Sequence, residues 1–140
     1  MNITVRISAL IYPTEVEERV RTAITNLFPI ELHLQDFGVP RLYSEGNLES
    51  LRKLHMLLRE VRILDTARSV LLAGIRGSTT QFSLNKQVAF IGGVNFPAVE
   101  ESLGSIYVDI SAESKEDLLK IIDWLAPQTI DGKPIEEIEL

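Results

Sequence analysis

Apolar and polar positions alternate from Asn2 to Tyr12, with Ile3, Val5, Ile7 and Ala9 on one side and Asn2, Thr4, Arg6 and Ser8 on the other. A period of two predicts a β-strand with one buried and one wet face. Pro13 ends it. Thr14 and Glu17 have capping-box spacing, and Val16, Val20, Ala23, Ile24 and Leu27 form a helical stripe, predicting a helix to Phe28 that Pro29 stops. Ile30, Leu32 and Leu34 then alternate with Glu31, His33 and Gln35, predicting a second strand that closes near Gly38. Val39 to Tyr43 reads as a further short strand, which Pro40 favours at a sheet edge.

The leucine-rich stretch from Asn47 to Gly77 lies in the longest segment without proline. Leu51, Leu54, Leu58 and Val61 share one helical face; Ala67, Val70, Leu71 and Gly74 resume the pattern but drift off the first stripe. The drift predicts two helices, or one kinked near Arg62. Ser44 to Asn47 supplies turn and cap chemistry before them, and Gly74 and Gly77 a stop after them.

Thr80, Phe82 and Leu84 predict another strand, and a turn at Asn85-Lys86 leads into Gln87 to Phe96, apolar enough for an inner strand with a bulge at Gly92-Gly93. Pro97 to Gly104 reads as a loop exposing Glu100 and Glu101. Ile106, Val108 and Ile110 form the last clean strand. Ser114 and Asp117 open a helix whose apolar face is Leu118, Leu119, Ile121, Ile122 and Leu125, closed by Pro127.

The order is therefore β-α-β-αα-β-β-β-α. Helices do not alternate with strands, which predicts an α+β fold: a mostly antiparallel or mixed sheet with helices packed on one face. Residues 1–140 form one domain in this reading, with 127–140 a tail that extends along the surface or frays. A chain of 140 residues, 45% of them hydrophobic, has enough length and apolar content for a proper core. The chain has no cysteine, which removes disulfides and thiolate chemistry. It shows no signal-peptide pattern and no apolar run near the ~20 residues of a membrane span. A cytoplasmic protein without membrane contact is expected.

Charge sharpens this picture. The net charge of −6 argues against nucleic acid, yet from Arg52 to Lys86 seven cations face only two carboxylates. The rest of the chain has seven cations against eighteen carboxylates. These arginines are either a basic patch or the solvated face of ordinary helices; Arg62, Asp65 and Arg68 have the spacing to pair locally.

Candidate chemistry is sparse. His33 and His55 have no ligand-spaced companions, so no metal site is predicted, and no phosphate-loop, dinucleotide or nucleophile-elbow motif occurs. No cofactor is expected. His33 is placed on a wet strand face and His55 on a helix flank. Trp124, the one tryptophan, is assigned to packing. With 6% aromatics, RNA contact through backbone and shape is expected rather than base stacking.

Several blocks occur together in order: Arg62-Ile63-Leu64-Asp65-Thr66-Ala67-Arg68, Gly77, Phe82, Lys86-Gln87-Val88-Ala89, Gly93-Val94-Asn95-Phe96 and Leu103-Gly104-Ser105-Ile106. Ile122-Asp123-Trp124-Leu125-Ala126-Pro127, Thr129, Gly132 and Pro134 close the series. The set resembles a family of uncharacterised archaeal proteins described as predicted RNA-binding, exosome-associated subunits. Their fold is similar to that of the ribosomal protein that binds five-S RNA. Where relatives often carry lysine and asparagine around the glycine turn, this chain has Ala73 and Ser78.

The resemblance and the basic segment together imply a non-enzymatic RNA-binding or RNA-processing accessory protein. Arg59, Arg62, Arg68, Arg76 and Lys86 are the candidate phosphate contacts. RNA or an RNA-processing complex is the expected partner, and a homodimer stays open. The alternatives are an adaptor whose acidic remainder docks a basic protein, and a small enzyme using Lys86, Gln87 and Asp123 in a cleft.

Overall fold

Six strands form one fully antiparallel sheet: β1 (Ile3–Leu10), β2 (His33–Gln35), β3 (Arg41–Gly46), β4 (Ile75–Arg76), β5 (Thr79–Leu84) and β6 (Ile106–Ala112). Their spatial order is β2-β3-β1-β6-β5-β4. The structure, a computed structural model, describes residues 1–98 and 101–140. Five helices pack against the sheet: α1 (Glu17–Leu27), α2 (Arg52–Glu60), α3 (Leu64–Ala73), α4 (Lys86–Phe90) and α5 (Lys115–Leu125). A hairpin of β7 (Thr129–Ile130) and β8 (Lys133–Pro134) follows.

The alternation decides which face the helices cover. Val5, Ile7, Ala9, Leu42, Phe82, Leu84, Ile106, Val108 and Ile110 are all buried under the helices. Of the residues predicted to face away, His33 is exposed while Thr4 and Asp109 are half-buried. Helix α5 begins as its sequence predicts, with the Ser114 hydroxyl accepting from the Asp117 amide at 3.1 Å. Leu118, Ile121, Ile122 and Leu125 bury, but Leu119 stays exposed at the margin of the stripe.

The leucine-rich stretch is two helices, broken at Arg62. The Ile63 amide donates to Leu58 O at 3.1 Å, and the Arg62 amide donates to Arg59 O at 3.2 Å. Arg62 takes φ +62°. That pair of bonds around a left-handed residue is a Schellman stop, and an arginine fills the place glycine usually takes. Leu51, Leu54, Leu58, Leu64, Ala67 and Leu71 bury, whereas Val61, next to the break, is 42% exposed. Of the predicted Ser44 to Asn47 signal only Asn47 caps, in a capping box with Ser50 ahead of a short 3-10 turn over Leu48–Leu51; Ser44 to Gly46 belong to β3.

Other elements differ from expectation. Gln87 to Phe96 is no inner strand: Asn85 Oδ1 accepts from the Val88 amide at 2.9 Å and starts α4. A short apolar run fits strand or helix equally well, and the asparagine cap decides it. Asn26 of α1 then holds the far end of α4, donating to Ala89 O and Phe90 O at 2.9 and 3.0 Å. Val16 is 58% exposed because it is the N-cap of α1, and no capping box forms there. Strand β2 is only three residues long and outermost, so Leu34 has a strand neighbour on one side only and is exposed, while Leu32 is half-buried. Pro40 precedes β3, which is an interior strand paired to β1 and β2. Gly74 is the C-cap of α3, but Gly77, at φ +63°, opens the two-residue loop joining β4 to β5. Glu101 is half-buried and accepts from Asn85 Nδ2 at 3.0 Å; Glu100 lies outside the described residues.

Candidate nucleic-acid interface

The five cations singled out from the sequence fall into two groups. Arg59 uses all five guanidinium N–H groups inside the protein. Nε and Nη2 grip Glu137 at 2.7 and 2.6 Å, Nη1 donates to His55 O and Leu125 O, and Nη2 also donates to Trp124 O. Arg68 pairs with Asp123 at 2.8 Å and donates to Ala126 O at 3.1 Å. Lys86 is buried, and its Nζ donates to Leu10 O, Glu15 Oε1 and Leu103 O at 2.7, 3.0 and 2.6 Å. An ammonium has three N–H groups, so none is left. These three side chains tie the fold together.

Arg62 and Arg76 are the other group. Both are exposed; Arg76 donates only to its own neighbour Ile75 O, and Arg62 has no partner among the described residues. The local pairing of Arg62, Asp65 and Arg68 does not form. Asp65 instead accepts from the Thr129 hydroxyl, and Arg68 reaches α5.

Arg52, His55, Arg59 and Glu137 surround Trp124. The His55 ring stacks on the indole at 4.5 Å between centroids and 27° between planes, and the Arg52 guanidinium lies 5.7 Å from the indole centroid. Burial, then the nearby Arg59, holds the His55 imidazole below its ordinary pKa. Hydrogen bonding from Arg59 holds the Glu137 carboxyl below the usual carboxylate value.

The sheet face away from the helices carries a different set. Register places His33, Tyr43, Ser8, Tyr107 and Ser83 in one row across five strands. The adjacent row holds Glu45, Arg6, Asp109 and Gln81. Arg41 lies on the other side of the row, its guanidinium 5.9 Å from the Tyr43 ring centroid. His33 and Tyr43 meet at 5.6 Å with their planes 43° apart. Tyr43 and Tyr107 are 39% and 37% exposed. Between them, over Ser8, is a cleft of about 280 Å³.

Sequence comparisons agree with one another. A family model described as RNA binding matches residues 4–113, almost from the start of β1 through the end of β6. The UPF0201 protein of Methanopyrus kandleri is 45% identical, over 95% of this chain and 90% of its own length. That of Methanosarcina acetivorans is 41% identical over 99% and 93%. The chain belongs to the UPF0201 proteins and to the family described as RNA binding. A crystal structure of the UPF0201 protein from Methanococcus jannaschii superposes with a TM-score of 0.85 at 40% identity, covering 95% of this chain and 99% of that one.

The RNA-binding match takes in every strand of the main sheet but stops before α5. It therefore includes the whole uncovered face and excludes the segment that Arg59 and Arg68 anchor. Among the described residues no group of three or more His, Asp or Glu side chains is placed to hold a metal, and no helix is long and apolar enough to cross a membrane. Lys86 and Gln87 line a cleft with Glu15 and Arg19, whereas Asp123 lines another with Arg68 and Gln128. The residues that sequence reasoning passed over are Arg6, Arg41, Tyr43 and Tyr107. Their outward phase was legible from the alternation, but only the strand order brings them side by side.

Proposed function

We propose that this UPF0201 protein binds RNA without acting on it chemically, and that it does so on the uncovered face of the six-stranded sheet. One observation carries the reading. The face that the helices leave open gathers two arginines and two tyrosine rings in a chain whose RNA-binding family match spans the strands that build it. Arg59, Arg68 and Lys86 are engaged inside the protein, so phosphate contact falls to Arg6 and Arg41, with Arg62 and Arg76 as exposed outliers. A place as an accessory subunit of an exosome-like RNA-processing complex, with a fold kinship to the ribosomal protein that binds five-S RNA, is supported by the sequence blocks from Arg62 to Pro134 alone.

Titration of labelled RNA at several salt concentrations tests the reading. Affinity falls as salt rises, at about −0.7 per phosphate contact on a log–log plot, so two to four contacts give a slope of roughly −1.4 to −3. Arg41→Ala flattens it by about one contact, and the RNA is recovered at its original length. No binding even at low salt would discard RNA as the ligand and leave the acidic chain as an adaptor for a basic protein.

A further inference from the structure

The open face is close to neutral where it would have to meet RNA. Arg6 and Arg41 are offset by Glu45 and Asp109; Arg6 even pairs with Glu45 at 3.5 Å. Two arginines beside two carboxylates attract a polyanion weakly, so charge alone is a poor source of affinity. Around the two rings the face is polar, its rows filled with Thr4, Ser8, Ser83, Gln81 and Ser111, so it offers a protein partner no broad apolar centre. What it does offer is aromatic surface in a defined place.

Tyr43 and Tyr107 both pair with Ser8, one from β3 and one from β6. Two strand spacings put their backbones about 10 Å apart. Ser8 is short, so the space above it is the cleft between the rings, with Arg41 on one rim and Arg6 and Asp109 on the other. At about 280 Å³ it lies just under the ~300 Å³ of the smallest ligand clefts, room for a small ring but not for a bulky ligand. His33 and Arg41 already contact the Tyr43 ring, which restricts its rotation.

We propose that this cleft takes unpaired bases of single-stranded RNA, stacked on Tyr43 and Tyr107, with Arg6 and Arg41 steering the flanking phosphates. The inference rests on the RNA-binding reading above and narrows it. Bases in a duplex are already stacked on their neighbours and cannot offer a ring face to a side chain, whereas unpaired bases can. Stacking is tolerant of sequence, and as a contact between uncharged rings it releases no counterions, so it lacks the salt dependence of the phosphate contacts. A surface with few net charges but two accessible rings therefore fits a single strand and misfits a duplex.

The test compares a labelled ten-nucleotide single-stranded RNA with a blunt duplex of the same length. The single strand binds more tightly and keeps measurable affinity at high salt. Tyr43→Ala and Tyr107→Ala each weaken it by about 5- to 150-fold, as expected for loss of one stacked base. Tyr43→Phe and Tyr107→Phe, which keep the ring, bind nearly as the parent does. Ser8→Leu fills the floor of the cleft with both rings intact and must also weaken binding; it decides the matter should an alanine variant fail to fold. Equal affinity for duplex and single strand, or undiminished binding by folded Tyr43→Ala, Tyr107→Ala or Ser8→Leu protein, overturns the stacking cleft while RNA binding itself stands. Absence of binding to either RNA overturns the broader reading as well. Sedimentation showing that the tyrosines hold two copies together, with RNA affinity unmoved by their loss, assigns the face to self-association and also overturns it.

Discussion

Arg59 and Glu137 meet as a two-pronged ion pair, Nε to Oε2 at 2.7 Å and Nη2 to Oε1 at 2.6 Å, joining α2 to the segment that follows β8. The same guanidinium caps the last carbonyls of α5 at Trp124 and Leu125 and reaches back to His55 O of its own helix. Carbonyl and carboxylate groups from three parts of the chain thus converge on one side chain that is only 20% exposed.

Removing it leaves those acceptors without their donor. Arg59→Ala lowers stability by about 2–3 kcal/mol, the range for hydrogen bonds to charged groups once solvent screening of the partly exposed Glu137 is allowed for. Arg59→Lys recovers little, since an ammonium cannot form the fork. Denaturant melts read both. RNA affinity of the folded Arg59→Ala protein stays at the parent level; a weakened affinity with an unmoved melt would place Arg59 on the RNA instead.

Lys86 is the more consequential cation. It is buried, with Glu15 and two backbone carbonyls as its shell, and its Nζ lies 5.2 Å from the Tyr12 ring centroid. Breaking a buried pair by removing one partner costs about 3–5 kcal/mol, because the other charge is left stranded. Lys86→Ala and Glu15→Ala should each approach that loss in urea melts. Lys86→Met with Glu15→Leu should recover much of it, since removing both charges together abolishes the desolvation penalty. A double variant as unstable as the single ones would mean that the carbonyl contacts, and not the pair, hold α4 in place.

The contrast between these residues and the sequence reading has a physical basis. Alternation fixes the phase of β1, β5 and β6 because one side of each is buried, and a slip of one residue would expose the whole set. The break between α2 and α3 was legible because a helical stripe that drifts cannot stay on one core. Long-range partners left no such trace. Arg59 and Glu137 are 78 positions apart, and Lys86 and Glu15 are 71 apart. Neither spacing carries a local period, so clustered cations along the chain looked like a patch although three of them point inward. The aromatic row was hidden for the same reason. Tyr43 and Tyr107 become neighbours only because β1 lies between β3 and β6.

Arg62 offers a test of the helix break itself. A residue with a side chain at φ +62° bears a left-handed backbone that glycine adopts freely. Arg62→Gly should raise stability by up to ~1 kcal/mol, since the turn is retained and its strain removed. Arg62→Ala should not, because alanine keeps the Cβ. The two variants lose the same charge, so their effects on RNA binding should be equal while their melts differ. Equal melts would mean that the bonds around the turn, rather than the backbone angle, set its stability.

The Trp124 cluster makes stability depend on pH in a predictable direction. Desolvation, with Arg59 and Arg52 nearby, keeps His55 from taking up a proton at its ordinary pKa of 6.5 in the folded chain. The unfolded chain has no such restraint and protonates there. Below 6.5 the unfolded state therefore holds more protons than the folded one, and acid favours unfolding. Stability should be level above about pH 7, fall as pH drops through the folded-state pKa of His55, and level off once both forms are protonated. Glu137 adds a second fall further down. Its carboxylate is held below 4.5 by Arg59, so its contribution is present above that value and fades as pH falls through the lowered one. Urea midpoints measured from pH 8 down to about pH 3 should show both legs in the parent. His55→Phe keeps a ring against Trp124 but cannot titrate, so it should remove the upper leg and, by taking away one of the charges that hold the Glu137 carboxyl down, make the lower one shallower. Glu137→Gln should remove the lower leg and deepen the upper one. The carboxylate is the one neighbour whose charge favours a protonated His55, so its loss drives the folded-state pKa further from the unfolded value. A parent protein whose midpoint does not move between pH 7 and pH 5 would show that the imidazole takes up its proton against Trp124 as readily as in the unfolded chain.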